Sequence, residues 1–436
     1  MPSEARAVAF AVLRRTFEQG AFTDRAFHGA AAGLAQRDRA LAMRLAYGAV
    51  QRRATLDYLI EHAAGRPVAK LDPIARAALR LGAYELAFTS DAPHAAVNDA
   101  VALAAGSRGK GLVNAVLRRL SRESAALLST LDDDTPAGAA TRHSLPVWIV
   151  ADWWQSLGEE TTRALLARAN EPAEHALRAN ELVTDAAGLA AALDVRTAIP
   201  GDPPEAVILL EPFDAHGSQL WREGAFTPQS RASMLPARAL DPQPGDRVLD
   251  MCAAPGAKTT QIAALMGNEG AILAIERHRG RAQALERTAA RMHSRTVTVQ
   301  VGDAGARAPR ASFERVLLDA PCSGLGTIHS RPDLRWHVSP ERVQALAAEQ
   351  ARLLSEAARA LAPGGTLVYS TCTISAAENE QQIQTLLDRH RELEPLDLSS
   401  RFPAWRDPRG GPHLLALPHL QGSDGFFVAA LRRRER

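Results

Sequence analysis

Residues 248–260, near the middle of the chain, constrain the fold most strongly. This segment reads VLDMCAAPGAKTT. Its apolar start predicts a buried strand, Pro255 and Gly256 break that strand, and the residues from Thr259 to Met266 are typical of a helix. A strand that enters a helix through a turn of small residues directs free backbone N–H groups at one point. The segment therefore predicts a site for an anionic or strongly polar ligand.

The same segment indicates the chemistry of that ligand. The turn suits a carboxylate, and Asp250 at the end of the strand suits a cation, so a molecule that carries both groups fits. S-adenosylmethionine is such a molecule. Two other ligand motifs can be set aside. A phosphate-binding P-loop needs glycine directly before the lysine, where this chain has Ala257, and the GxGxxG of dinucleotide-binding folds is absent.

From residue 240 onward, apolar segments alternate with helical patterns such as 279–292 and 341–362. The predicted strands are 246–251, 271–276, 296–301, 314–319, 365–371 and 426–431. This alternation predicts a parallel sheet with helices on both faces, in which ligands bind beyond the carboxyl ends of the strands.

Polar side chains follow five successive strand ends. They are Asp250, Glu276, Asp303, then Asp319 with Cys322, and finally Cys372. Glu276 lies 26 residues after Asp250, close to the spacing at which an acid binds a ribose diol, and Asp303 is placed for an adenine amino group. A single strand-end acid is often only a helix cap. Five such ends on one edge of a sheet predict an active site.

The chain has three cysteines, and two of them, with a carboxyl group, suit one particular reaction. The third is Cys252; the odd number and the spacings of 70 and 50 residues indicate neither a disulfide framework nor a metal site. A thiolate that adds to C6 of cytosine makes C5 nucleophilic toward a sulfonium methyl; loss of the C5 proton then expels the thiolate. This needs a cysteine nucleophile, an acid near N3 and N4, and a base. Asp319, Cys322 and Cys372 would supply the set, and from the residues alone either of the last two thiols could be the nucleophile.

The first part of the chain is helical and basic. Residues 3–122 have helical periodicity, and residues 1–123 hold 18 Lys and Arg against 11 Asp and Glu, a net charge of +7; the remainder holds 33 against 38, a net charge of −5. Such a surface favours a polyanionic partner, although a solvated helical surface fits the charge equally well.

A resemblance favours the first of these readings. Residues 93–101 (PHAAVNDAV) and 111–119 (GLVNAVLRR) resemble the helical RNA-binding fold of the NusB family. The resemblance implies an RNA-docking module. The candidate phosphate contacts are Arg52, Arg53, Arg108, Lys110, Arg118 and Arg119.

A second resemblance covers the remainder of the chain. The motifs CAAPGAK at 252–258, DAPCSG at 319–324, TC at 371–372 and ENE at 378–380 resemble the RNA cytosine-C5 methyltransferases. With the NusB-like front, the chain resembles the bacterial 16S ribosomal RNA (cytosine-C5) methyltransferase family called RsmB, Fmu or Sun, least clearly between residues 145 and 225. The resemblance implies that Cys372 is the nucleophile and that Cys322 helps to release the product.

The resemblance also implies the cofactor contacts and the domain plan. S-adenosylmethionine would be held by Cys252, Ala253, Ala254, Pro255, Gly256, Ala257, Lys258, Glu276, Asp303 and Asp319, and residues 329–336 resemble the substrate-side loop. The expected domains are an all-α NusB-like RNA-binding domain at 1–125, a small α+β domain at 145–235 and an α/β Rossmann-like methyltransferase domain at 236–436, with a linker at 123–144. The family commonly has Gly where Ala257 stands, and Asp where Ser230 stands.

These features together predict a cytoplasmic monomer without a membrane segment, since no apolar run of 18 residues and no signal peptide are seen. The expected partner is 16S ribosomal RNA before the subunit is fully assembled. Two alternatives stay open: the same chemistry on transfer RNA or another RNA, and a non-catalytic RNA-binding or antitermination protein.

Overall fold

The computed structural model describes residues 2–90, 92–307 and 312–435. The chain forms two compact units. We call Met1–Glu171 with Ile328–Val338 the helical unit, and Pro172–Thr327 with Ser339–Arg436 the sheet unit. The division into three domains that the sequence suggested stays a prediction.

The helical unit confirms the helical pattern of residues 3–122. Its helices are α1 (Glu4–Gln19), α2 (Thr23–Ala30), α3 (Gln36–Gln51), α4 (Arg53–Ala64), α5 (Pro73–Phe88), α6 (Pro93–Leu103), α7 (Lys110–Ser129), α8 (Pro136–His143), α9 (Val147–Leu157), α10 (Glu159–Arg168) and, from the later segment, α17 (Leu334–His337). The predicted linker at 123–144 is wrong for most of its length, because α7 extends to Ser129 and α8 begins at Pro136. Pro136 at the first helical position and Thr135 as N-cap start a helix where composition suggested only a connector.

Apolar side chains at helical spacing form one core in this unit. Leu13, Leu45, Leu56, Leu79 and Leu117 come from five different helices and are fully buried. Burial of one such side chain contributes about 1.5–3 kcal/mol.

The sheet unit contains two sheets. The smaller is antiparallel in the order β2-β3-β1-β4, with β1 (Ala176–Ala179), β2 (Thr197–Ala198), β3 (Ala206–Leu209) and β4 (Phe226–Pro228). The helices α11 (Ala186–Ala192), α12 (Gln219–Arg222) and α13 (Arg231–Leu240) accompany it in sequence.

The larger sheet contains all six strands predicted from the sequence. Its strands are β5 (Arg247–Asp250), β6 (Ala271–Glu276), β7 (Val297–Val301), β8 (Phe313–Asp319), β9 (Leu361–Thr371), β10 (Leu393–Leu396), β11 (Leu414–Ala416) and β12 (Phe426–Arg433). Its helices are α14 (Ala257–Leu265), α15 (Arg279–Arg291), α16 (Ala304–Arg307), α18 (Pro340–Ala360), α19 (Glu380–Arg389) and α20 (Pro418–Gln421).

The order of strands in this sheet positions the candidate site. It runs β10-β12-β9-β8-β5-β6-β7, and the five strands from β9 to β7 are parallel. The prediction of a parallel sheet is wrong for β12, which pairs antiparallel with β9. The short strand β11 also pairs antiparallel with β12. Successive side chains Val248 and Leu249 on β5, and Leu317 and Leu318 on β8, are all buried, so both faces of the sheet are covered. The carboxyl ends of the parallel strands therefore lie on one edge.

Among the described residues, no helix combines the length and the apolar character that crossing a bilayer requires.

Candidate active site

The turn after β5 has the conformation that its small residues predicted. Gly256 has a φ of +105°, and a Cβ atom there would lie 2.6 Å from Leu285 Cδ1, so the position requires glycine. Ala257 is the first residue of α14 and adopts an ordinary helical conformation, so alanine is accommodated where the family commonly has glycine. Cys252, Ala253, Ala254 and Pro255 form the turn that leads to it.

Asp250 ends β5 in a buried position. Its side chain accepts a hydrogen bond of 2.7 Å from the Thr259 hydroxyl, and only 1% of the residue is exposed. Burial raises the pKa of Asp250 to about 7, and the nearby Asp319 carboxylate adds to the effect. A cationic ligand stabilises the charged form of such a buried carboxylate, because its positive charge compensates for the lost hydration.

Asp319 at the end of β8 is oriented by two donors. Lys258 Nζ donates to its Oδ2 at 2.7 Å, and the Ser370 hydroxyl donates to its Oδ1 at 2.8 Å. Ser370 lies opposite Asp319 in the β8–β9 register. No role for Ser370 was predicted from the sequence; its position on the adjacent strand, two residues before Cys372, was the available signal.

The other two predicted acids follow β6 and β7. Glu276 is 3% exposed, and its Oε1 accepts the backbone N–H of His278 at 2.9 Å. Asp303 forms an ion pair with Arg352 of α18, at 2.9 and 3.1 Å, which sequence reasoning missed. Burial alone would raise the pKa of Asp303, but the hydrogen bonds from Arg352 and the Gly305 amide have the larger combined effect. The net result is a pKa below the usual value of an aspartate.

This group of residues fits S-adenosylmethionine. The backbone N–H groups at the start of α14 are donors for a carboxylate, Asp250 offers negative charge to a cation, and Glu276 offers acceptor oxygens to a ribose diol. When bound, the cofactor supplies a methyl group on a sulfonium, which is open to attack by a nucleophile.

The structure brings two of the three thiols together. The Sγ atoms of Cys322 and Cys372 are 3.4 Å apart, although 50 residues separate them in sequence. Cys322 lies in the loop after β8 and Cys372 directly follows β9, and these two strands are parallel neighbours. Gly326 donates its N–H to the Cys372 carbonyl at 3.0 Å; a Cβ atom at Gly326 would lie 2.0 Å from the Gly425 carbonyl oxygen, so only glycine allows this approach.

The thiols differ in their electrostatic surroundings. The pKa of Cys322 is raised well above its usual value, first by its hydrogen bond with Cys372, then by burial and by the charges of Cys372 and Glu378. Burial and the neighbouring carboxylates of Asp250, Asp319 and Glu276 raise the pKa of Cys252. Cys252 therefore stays a neutral thiol beside the cofactor residues.

Four of the six predicted RNA contacts are held by the protein itself. Arg52 lies over the Phe88 ring and Arg53 over the rings of Phe17 and Trp336, at 4.9–5.0 Å from the centroids. The side chains of two others are bound by their own helix. Arg118 donates to Asn114, and Arg119 pairs with Glu123 at 2.8 Å.

The remaining two are exposed: Arg108 lies in the turn before α7, and Lys110 is the first residue of that helix. Neither side chain has a hydrogen-bond or ion-pair partner among the described residues. The turn is fixed to the unit because the Ser107 hydroxyl donates to Asp72 at 2.6 Å.

Known proteins resemble this chain over nearly its whole length. Residues 237–432 match the family model described as 16S rRNA methyltransferase RsmB/F, and residues 3–122 match the NusB family. A probable ribosomal RNA small subunit methyltransferase B from Synechocystis sp. is 37% identical over 98% of this chain and 99% of its own length. The ribosomal RNA small subunit methyltransferase B of Thermus thermophilus is 36% identical over 91% of this chain and 89% of its own length.

A solved structure agrees with these matches. A methyltransferase homologue from Pyrococcus horikoshii has a TM-score of 0.60 and 29% identity, over 69% of this chain and 99% of its own length. S-adenosylmethionine is accordingly the cofactor, and RNA is what the chain binds. The matched segments and these relatives show that the chain belongs to the RsmB/F family of ribosomal RNA methyltransferases.

Proposed function

We propose that this protein methylates C5 of a cytosine in 16S ribosomal RNA through a covalent bond between Cys372 and C6 of the base. The observation that carries the proposal is the 3.4 Å separation of the Cys322 and Cys372 sulfurs, next to Asp319 on the adjoining strand end. Two thiols and one carboxyl group are the set that C5 methylation through a C6 adduct requires.

The contact between the sulfurs lets one thiol assist the other, and the family resemblance assigns the nucleophile to Cys372. Because its hydrogen bond with Cys372 and its burial raise the pKa of Cys322, we assign the hydrogen of this contact to the Cys322 sulfur. In the proposed step Cys372 loses its own proton to water, the Cys322 S–H group donates to the resulting thiolate, and that thiolate attacks C6. The S–C6 bond forms, and the electron pair of the C5–C6 double bond makes C5 nucleophilic. Asp319, oriented by Lys258 and Ser370, is the group that we place at N3 and N4.

Release uses the other thiol. Once Cys372 is bonded to C6, its sulfur is an uncharged thioether, so its hydrogen bond with Cys322 weakens and its charge no longer raises the pKa of Cys322. Cys322 can then lose its proton to water and accept the C5 proton of the methylated adduct. The C5–C6 double bond re-forms and Cys372 leaves as a thiolate. One pair of thiols thus serves addition and elimination in turn.

The test follows tritiated methyl groups from S-adenosylmethionine into unmodified 16S RNA. Cys372→Ala should abolish transfer, and Cys322→Ala should accumulate a protein–RNA adduct that survives a denaturing gel. Full activity in Cys372→Ala refutes the assignment, and an adduct in Cys372→Ala but not in Cys322→Ala reverses the two roles.

The RNA substrate needs its own test. Bisulfite mapping of RNA from cells that lack this gene should show one unmethylated cytosine in 16S RNA. Loss of 5-methylcytosine from transfer RNA instead would change the substrate and leave the chemistry intact.

A further inference from the structure

Two adjacent side chains that the proposed reaction does not use, Glu378 and Asn379, contact the segments that carry the two thiols. Both residues are fully buried. They follow β9, where a short 3-10 helix (Ala376–Glu378) leads into α19. They are the first two residues of the ENE motif.

Glu378 binds Ser323, directly after Cys322, and is linked through Gln350 to Pro321, directly before it. Its Oε1 accepts the Ser323 backbone N–H at 2.8 Å, and its Oε2 accepts the Ser323 hydroxyl at 2.5 Å. Gln350 Nε2 donates to the same Glu378 Oε1 at 3.1 Å and to the carbonyl of Pro321 at 2.9 Å. The residues before and after Cys322 are therefore fixed through one carboxylate.

Asn379 binds both sides of Cys372. Its Oδ1 accepts the Thr371 hydroxyl at 2.5 Å, and its Nδ2 donates to the Thr373 carbonyl at 3.0 Å. The hydroxyls of Thr373 and Ser323 are 2.7 Å apart, which joins the Cys372 segment to the Cys322 segment directly.

A purely structural role explains these contacts poorly. Asn379 stands at the N-cap position of α19, yet its side chain makes no capping hydrogen bond and turns to Thr371 and Thr373 instead. Replacement of a buried charged group by an apolar side chain of similar size is often neutral or stabilising, because desolvation opposes the hydrogen bonds of the charged group. Burial also raises the pKa of Glu378, which shows this cost.

We propose that Glu378 and Asn379 are positioning residues: Glu378 holds Cys322, and Asn379 holds Cys372, at the separation that addition and elimination require. This inference rests on the proposed function, since it assigns each contact to one step of the reaction. Displacement of a reacting group by about 1 Å costs about 10²-fold in rate.

Removal of each side chain should slow a different step of the reaction. Glu378→Ala frees the Cys322 segment, so Cys372 still adds to the base while release slows and the covalent adduct accumulates. Asn379→Ala frees the Cys372 segment, so the adduct forms slowly and does not accumulate. Glu378→Gln should stay within about threefold of wild type, because its amide oxygen accepts from Ser323 and Gln350 and its amide nitrogen donates to the Ser323 hydroxyl.

The experiment uses the full chain in single-turnover reactions with tritiated S-adenosylmethionine and unmodified 16S RNA. Methyl transfer and the adduct on denaturing gels are measured for wild type, Cys322→Ala, Glu378→Ala, Glu378→Gln and Asn379→Ala.

Asp407→Asn is the matched control, because Asp407 is an equally buried carboxylate of the same unit that pairs with Arg409 and His413. It should lower the melting temperature without changing the adduct fraction. If Glu378→Ala does not fold, Ser323→Ala, which removes the hydroxyl contacts with Glu378 and Thr373, should raise the adduct fraction in the same direction.

The outcomes separate this inference from the proposed function. An adduct fraction in Glu378→Ala at least tenfold above wild type, with Glu378→Gln near wild type, supports the inference. If Cys322→Ala traps the adduct while folded Glu378→Ala, or Ser323→Ala in its place, behaves like wild type, the inference fails alone. Accumulation of the adduct in Asn379→Ala also overturns it. If Cys322→Ala traps no adduct, the proposed function fails with it.

Discussion

The ammonium group of Lys258 donates a 2.7 Å hydrogen bond to Asp319, and this contact joins two motifs that lie 61 residues apart. Lys258 lies in the first turn of α14, and Asp319 ends β8. The ammonium also lies 5.0 Å from the centroid of the Phe426 ring. One point charge thus connects the cofactor turn with the carboxylate expected at the base.

Removal of this charge should slow the reaction more than it weakens the fold. In Lys258→Ala, Asp319 keeps only the Ser370 donor, and we expect methyl transfer to fall by about 10²-fold. Lys258→Arg should recover only part of the rate. It restores the positive charge, but the broad guanidinium must fit where only 13% of the lysine side chain is exposed. Initial rates at saturating S-adenosylmethionine test this, with Arg247→Ala, which breaks a surface pair with Glu314, as control. An unchanged rate in Lys258→Ala would show that the pair is only structural.

Asp250 predicts a particular dependence of stability on pH. Its pKa is about 7 in the folded protein and near 3.8 in the unfolded chain, so the folded state binds the proton more tightly. Stability should therefore decrease as pH rises from about 4 to about 7, by up to roughly 4 kcal/mol. Asp250→Asn keeps an acceptor for Thr259 and removes the titration.

Thermal unfolding of the cofactor-free protein between pH 4 and pH 8 measures this effect. The melting temperature of Asp250→Asn should exceed that of wild type progressively as pH rises, while calorimetry should show weaker binding of S-adenosylmethionine. A constant difference between the two proteins across this pH range would contradict the prediction.

The paired thiols should be selectively oxidised. The sulfurs of Cys322 and Cys372 are 3.4 Å apart, so a mild thiol oxidant such as diamide should join them and stop methyl transfer. Mass spectrometry should find a loss of two hydrogens and one remaining free thiol, Cys252, and dithiothreitol should restore activity. Cys322→Ala serves as control, since it removes one partner. A bond to Cys252 would mean that the sulfurs reach other arrangements in solution.

Much of the sheet could be predicted because its signal is local. Strands such as Ala271–Glu276 are short apolar runs bounded by turn residues, and their polar ends follow from chain order alone. The direction of β12 could not be predicted in this way. The run from Phe426 to Arg433 is as apolar as a parallel strand, and only its pairing with β9 decides its direction.

The site was predictable in its residues and less so in its contacts. Cys322, Cys372 and Asp319 could be identified as strand-end residues, whereas the partners Arg352 and Gln350 lie on α18, where nothing in their local sequence indicates a role. Arg335 is a further example. It is fully buried in the helical unit, and its guanidinium donates to the carbonyls of Ser144, Ala169 and Ile328 at 3.0–3.1 Å. An arginine in a polar segment gives no sign of such burial.

The exposed turn before α7 provides a test of RNA docking by the helical unit. Arg108 in this turn and Lys110 at the first position of α7 are two exposed cations, and each phosphate contact that they make should release counterions. Reversal of both charges, in Arg108→Glu with Lys110→Glu, should weaken binding of 16S RNA at least tenfold at moderate salt. It should also reduce the slope of log Kd against log salt by about one to two.

Arg119→Ala is the matched control, because Arg119 is already paired with Glu123 and its loss should change the affinity less than threefold. Filter binding across a salt series, with circular dichroism to confirm the fold, separates the two cases. The prediction is wrong if the double variant keeps the wild-type slope, or if Arg119→Ala weakens binding as much as the double variant does. Either result would move the RNA contact to another face of the helical unit and leave the chemistry at the thiols untouched.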